Sequence, residues 1–416
     1  MLKCGFYETD ITPAIGSGIS AGFWPTKTTS IRDPLYAHAF AAQANGNTVV
    51  IVSLDIAVVE KEDADTIREG ISVATGVSKS AISVCAIHVH TGPIAMDLYQ
   101  CFKDRPYCAF MASRAIDAGI MAFQRMRDAR IGAGSCDVEG IAFNRRFRLK
   151  NGQVVMNPGL QNPEIDCSVD IVDPQLLVLR VDDADGIPMG VIANYALHCD
   201  TVRGPKDATS ADYPGVIRAY LREKYGEKFG FVFLPGTSGN VNHLDVTKPG
   251  EEQNDHLSIG RILSDAILGL MGEIQTEDID CVSCVSTEFT GHTKRPSMED
   301  CEKISNENIR REMMRVAGLP EEDESVEVWA ARLGDHVITM VPGEPFAYFG
   351  LEMKRRSPFA NTFTCELSNT CIGYIYTKEG EKQGGYEATP STYVRMDGDT
   401  GYKIVETAVA CMNKLK

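Results

Sequence analysis

Two histidines one residue apart, His88 and His90, end the apolar run Ile82-Ser-Val-Cys-Ala-Ile87 and are followed at once by Thr91-Gly-Pro93. Neutral imidazole is the commonest protein ligand for a transition metal. The carboxyl end of a buried strand is also where α/β proteins place their ligands. A third histidine, His198, ends another apolar run, and Glu344 follows a further one in Val341-Pro-Gly-Glu344. Two histidines and a carboxylate form one of the standard catalytic zinc shells, with one position left open. In such a shell zinc lowers the pKa of bound water from about 15.7 to about 7 and polarises a carbonyl oxygen. Asn240 and Asn242, in the turn Gly239-Asn-Val-Asn-His243, follow another apolar run, and Arg145 stands in Asn144-Arg-Arg146.

Each of these side chains also has a plainer reading. His198 fits a core histidine bonded to backbone, and Arg145 fits a surface charge. Asn240 and Asn242 fit turn positions, where asparagine tolerates the left-handed backbone. Glu344 stands at a helix start beside Pro345, where a carboxylate favours the helix dipole without any metal. For Glu344 alone that reading is the stronger. The ligands are dispersed, and no compact His-Glu-x-x-His or paired Cys-x-x-Cys motif supports them.

The elements that must position these residues are legible as periodicity. Short strands are predicted at 5–10, 36–44, 48–55 and 82–87, the middle two forming a hairpin around Asn45-Gly-Asn47. A helix covers 61–75, and a second, 105–127, opens with Pro106 at an early position. Strands at 129–134 and 141–149 follow, then a hairpin of 175–182 and 189–197 around Asp185-Gly186. The rest reads as helix 214–225, strand 229–234, helix 255–272, strand 279–289, a charged helix 298–316, strands 326–333 and 336–341, a helix after Pro345, strand 362–367 and a last helix 401–414. No sequence repeat or linker is visible. The expectation is an α/β fold of mixed sheets flanked by helices, with residues 1–416 forming one catalytic unit. The loop 12–22 is rich in glycines that would let backbone approach a ligand closely.

Composition narrows the partners. The 416 residues are 44% hydrophobic and 24% charged, with a formal net charge of −16. Charge of that sign repels nucleic acid and anionic membrane, so neither is expected as a partner. The thirteen cysteines are scattered and many lie in apolar runs, which fits buried thiols in a reducing compartment. Cys281-x-x-Cys284 is read as packing. With no apolar leader at Met1 to Asp10, the expected location is the cytoplasm.

Several stretches together resemble the catalytic domain of neutral/alkaline ceramidases. They are Gly5 to Asp10 with Ile11-Thr-Pro13, Leu35-Tyr-Ala-His-Ala-Phe40, Ser53-Leu-Asp-Ile56, His88-Val-His-Thr-Gly-Pro93 and Ala196-Leu-His198. Gly239-Asn-Val-Asn242, Val341-Pro-Gly-Glu344, Ser368-Asn-Thr-Cys-Ile-Gly-Tyr374 and Gly385-Tyr-Glu387 continue the match in order. The resemblance implies a zinc-dependent amidase. It implies His88, His198, Glu344 and Tyr374 as zinc ligands, Tyr374 being a ligand that residue types alone do not suggest. It further implies that His90 and Arg145 face the scissile group. The family's Gly-[Asp/Asn]-x-Ser-Pro departs here to Gly239-Asn-Val-Asn-His243, so Asn242 stands where the family has serine and His243 where it has proline.

The resulting expectation is a zinc hydrolase of amide bonds acting on a small N-acyl substrate, more soluble than ceramide. Asn242 would donate a hydrogen bond to that substrate. The alternatives are a metal-dependent esterase or other acyl hydrolase, and an inactive binding protein that kept the metal shell.

Overall fold

The long apolar runs are hydrophobic on successive residues because both faces of their sheet are covered. The computed structural model describes residues 1–19, 26–98, 101–304 and 306–416; the end of the glycine-rich loop 12–22 falls outside them. Eight strands build the main sheet: β1 (Lys3–Asp10), β2 (Tyr36–Ala44), β3 (Asn47–Leu54), β4 (Ile82–Ala86), β5 (Arg127–Asp137), β6 (Gln175–Asp183), β7 (Pro188–Tyr195) and β8 (Gly230–Pro235). Their order across the sheet is β8-β7-β6-β5-β1-β2-β3-β4. Only β3 with β4 and β7 with β8 run parallel.

This order contains a repeat that the residues do not announce. Each half is an antiparallel strand, a hairpin, then a helical crossover to a parallel edge strand. In the first half α1 (Lys61–Thr75) links β3 to β4, and in the second α3 (Asp212–Tyr225) lies between β7 and β8. The halves meet where β1 pairs β5 at Lys3↔Asp128 and Cys4↔Arg127. The sheet curls, so β8 lies against β3: the Ser53 hydroxyl donates to Phe233 O at 2.7 Å.

Alternation within strands shows the layering. Val50, Val52 and Leu54 of β3 face the cluster containing α1 and α2 (Arg105–Gln124), whereas Val49 and Ile51 face an inner cluster. Likewise Leu176 and Val178 of β6 face α3 and α4 (His256–Glu273), and Leu177 and Leu179 face the same inner cluster. A four-stranded sheet of β9 (Val282–His292), β10 (Asp323–Leu333), β11 (His336–Met340) and β12 (Asn361–Cys365) adds Trp329, Met340 and Phe363 to that inner layer. Fold class and most elements therefore agree with the expectation. One helix differs: the charged stretch 298–316 breaks into Met298–Glu302 and Glu307–Ala317, the second capped by Asn306 Oδ1 accepting from Ile309 N. All thirteen cysteines are free thiols. No helix among the described residues is long and apolar enough to cross a membrane.

Candidate functional site

His88 closes β4 in a left-handed backbone, φ 69°. That is uncommon for a residue with a side chain, and such strain collects at functional sites. It is held there by its own N–H, which donates to Ile56 O at 3.0 Å. His88 Nδ1 donates to Ala57 O at 2.9 Å, which leaves Nε2 with a free lone pair. His198 follows β7. Its Nδ1 lies 3.3 Å from Ser238 Oγ, which donates in turn to Glu366 Oε1 at 2.7 Å, so His198 also presents Nε2. An imidazole whose far nitrogen is tied down in this way is oriented as metal ligands are.

Both Nε2 atoms meet the same oxygen. Glu344 Oε2 is 3.1 Å from His88 Nε2 and 3.1 Å from His198 Nε2. His90 Nε2 stands 3.2 Å from His88 Nε2. The Glu344 side chain is fully buried, and Oε2 has no partner in hydrogen-bonding geometry. Lone pairs from imidazoles thus converge on an unsatisfied carboxylate oxygen, an arrangement that repels itself unless a proton or a metal cation sits among them. Nitrogen and carboxylate donors of this kind suit zinc. The three histidines bring one ligand atom each to within 4.8 Å of one another.

Proton affinities reflect that crowding. Burial works against the His88 imidazolium, but Glu344 overrides it and raises His88 to about 9. Burial, reinforced by the Arg145 charge, pushes His198 down to about 3. Burial also pushes His90 down to about 4. Glu344 is held well below the carboxylate range by both imidazoles, against the effect of burial.

The helix-dipole reading of Glu344 does not describe its side chain. Residues Glu344–Pro345 form a short parallel bridge with Tyr374–Ile375, in register Glu344↔Tyr374, and the helix Ala347–Arg356 begins only beyond it. The same bridge sets Tyr374 beside the cluster, where it lines the cavity with its ring centroid 5.4 Å from Arg145 Cζ. Gly239 makes room for this. A Cβ there would come within 2.2 Å of Glu344 O, a backbone atom that cannot swing aside. Gly239→Ala is therefore expected to cost about 1–3 kcal/mol in denaturant unfolding. It should also weaken metal binding in a titration, because it displaces Glu344.

Arg145, expected at the scissile group, is buried with three of its nitrogens assigned. Nε donates to Glu387 Oε1 at 2.7 Å, Nη2 to Gly239 O at 2.8 Å, and Nη1 lies 3.3 Å from His198 Nε2. The surface-charge reading of Arg145 is excluded by its burial. Asn242 lines the cavity, donating through Nδ2 to Asn157 Oδ1 at 2.8 Å and accepting from Leu244 N. Asn240 is placed differently. Its carboxamide bridges Asp170 Oδ2 and Ala347 N, and it is not among the residues lining the cavity. It braces the loop behind the site.

Several contributors carried no sequence signal. The Tyr393 hydroxyl donates to Glu344 Oε1 at 2.5 Å, from an irregular segment. Asn157 is equally isolated in sequence, whereas Glu387 belongs to the stretch Gly385-Tyr-Glu387 that carries the family resemblance. Glu366 did leave a trace, as a lone carboxylate just past the buried strand 361–365; burial and the nearby Glu344 charge push it up to about 8. The cavity itself holds about 340 Å³.

Comparison with known proteins bears on this geometry. The family model described as neutral/alkaline non-lysosomal ceramidase, N-terminal, matches residues 3–250. A neutral ceramidase of Pseudomonas aeruginosa is 24% identical over 245 residues, 55% of this chain and 35% of its own. Neutral ceramidase B of Dictyostelium discoideum is 24% identical over 214 residues, 49% of this chain and 28% of its own. The aligned stretch thus spans about a third of these relatives. The crystal structure of the P. aeruginosa neutral ceramidase superposes with a TM-score of 0.80 at 17% identity, covering 99% of this chain and 74% of that one.

Proposed function

The chain belongs to the neutral/alkaline non-lysosomal ceramidase family, and from that premise we propose that it hydrolyses the amide bond of a small N-acyl substrate with zinc held by His88, His198, Glu344 and Tyr374. The observation that carries this reading is the convergence of two Nδ1-anchored imidazoles on the unpartnered oxygen of Glu344. Zinc bound there would supply an activated water and polarise the substrate carbonyl.

The remaining roles fall to side chains. His90, the imidazole beside the cluster that is not itself needed as a ligand, accepts the proton of the attacking water as its oxygen bonds the carbonyl carbon and returns it to the amine as the C–N bond breaks. Arg145 directs Nη1 at the position where negative charge develops on the carbonyl oxygen. Asn242 donates to the substrate through the N–H not committed to Asn157. The substrate is a small molecule, and the chain works in the cytoplasm.

No side chain at the family's serine position can form an acyl intermediate, since Asn242 offers only a carboxamide. The zinc-loaded protein is expected to cleave members of an N-acyl amide panel, to lose that activity to a chelator and regain it with zinc. Serine-directed reagents should leave it unchanged. Inhibition by such a reagent would defeat the proposed mechanism. Silence across the panel would leave the binding-protein reading, which the loss of the family serine favours.

A further inference from the structure

Glu344 has two carboxylate oxygens, and the fold treats them differently. Oε2 faces the Nε2 atoms of His88 and His198, 3.1 Å from each. Oε1 is taken by the Tyr393 hydroxyl at 2.5 Å. A carboxylate holds a metal through one oxygen or through both. Whatever occupies Oε1 therefore decides how Glu344 meets an ion at the cluster.

The direction of that hydrogen bond is fixed by its neighbours. An ionised carboxylate only accepts, so the single Tyr393 O–H is spent on Glu344. Cys371 Sγ lies 3.1 Å from the same hydroxyl oxygen and must then be the donor to it. The chain runs from Cys371 S–H to Tyr393 Oη, and from Tyr393 O–H to Glu344 Oε1. All three side chains are buried, and Tyr393 also forms part of the cavity wall.

Tyr393 is built into place. Ser391 Oγ accepts from the backbone N–H groups of Tyr393 and Val394, at 3.2 and 2.9 Å. The Tyr393 carbonyl packs on Gly373, where a Cβ would come within 1.7 Å of that oxygen and where φ is 79°. Gly373 O accepts in turn from Glu344 N at 2.9 Å. The next residue is Tyr374, whose ring meets Tyr393 edge to face with centroids 5.3 Å apart. One tyrosine thus touches the side chains of Glu344 and Tyr374, two of the four proposed ligands.

We propose that Tyr393 is a positioning residue that keeps Glu344 a one-oxygen ligand and so preserves an open position at the metal. With Oε1 released, the carboxylate is free to present both oxygens and to fill the place that a catalytic site leaves for water. The proposal rests on the zinc reading of the cluster and does not depend on which bond is hydrolysed.

The test is Tyr393→Phe, which keeps the ring against Tyr374 and removes only the hydroxyl. Zinc affinity, measured by competition with a chromophoric chelator, should fall about 10–100-fold, the usual effect of removing the partner behind a ligand. Cobalt(II) in place of zinc reports the coordination itself, because its visible absorption weakens as more ligand atoms surround it. The cobalt form of Tyr393→Phe should absorb more weakly than that of the parent. Cys371→Ala disturbs the same packing but leaves the Tyr393 donor in place, and its cobalt spectrum should match the parent. An unchanged affinity and spectrum in Tyr393→Phe, or an equal change in Cys371→Ala, would overturn the role of Tyr393 and leave the zinc reading standing. A parent that binds neither zinc nor cobalt would overturn both. Should Tyr393→Phe fail to fold, the crystal structure of the zinc-loaded parent decides: Oε2 alone on the metal with Oε1 on Tyr393 supports the proposal, and both oxygens on the metal overturn it.

Discussion

His88→Ala and His198→Ala are each expected to purify folded and without zinc, and the parent protein to retain one zinc per chain by elemental analysis. The expectation follows from where the two histidines stand. Both lie just past strand ends, and each is fixed through Nδ1, to Ala57 O in one case and Ser238 Oγ in the other. Their removal leaves the strand ladders intact but takes away one nitrogen facing Glu344 Oε2. Zinc should raise the melting temperature of the parent, because a ligand at a thousand times its Kd adds about 4 kcal/mol. Neither variant should respond to zinc. Glu366→Gln, which disturbs only the support behind His198, should weaken zinc binding about 10–100-fold without abolishing it. Full zinc in both alanine variants would show that the cluster is not the metal site.

The contrast among these residues explains how much was legible in the sequence. His88 and His90 stood out because an apolar strand, a histidine pair and a Gly-Pro break occur within one short stretch. The left-handed turn that aims His88 is a tertiary effect, imposed by Ile56 O and Ala57 O from the neighbouring strand end. Glu344 alone read better as a helix-start carboxylate, since only its bridge to Tyr374 turns it toward the histidines. Tyr374 came from family resemblance, and Tyr393 came from neither source, because one tyrosine in an irregular segment has no periodicity to betray it. Helix and strand positions were mostly readable, since both sheet faces and the helix faces packed on them are apolar. The doubled strand–hairpin–crossover topology was not readable. Two halves can share a chain path without sharing residues, because packing requires only apolar character at corresponding positions.

Arg145→Lys is expected to keep its zinc and its fold and to lose about 10²–10³-fold in kcat, with little change in KM. The structure gives the reason that preserved charge is not enough. The guanidinium is held at two corners, Nε on Glu387 and Nη2 on Gly239 O, and this fixes the direction of Nη1 toward the histidine cluster. A lysine has one nitrogen to satisfy both anchors and serve the substrate. The buried Glu387 carboxylate will claim it, since an unpaired buried charge is the costliest outcome available. The positive charge then stays in the site but points away from the carbonyl oxygen. Losing one donor aimed at an oxyanion costs about 2.7–4 kcal/mol, which is the loss in kcat expected here. Because the contact strengthens only as charge develops, KM should hardly move. Arg145→Ala is the less informative variant: it strips Glu387 of its nearer partner, leaving Arg146 Nη1 at 3.3 Å, and should destabilise the fold by roughly 3–5 kcal/mol. Unchanged turnover in Arg145→Lys would show that Arg145 serves only to neutralise Glu387, and the oxyanion would then need another donor.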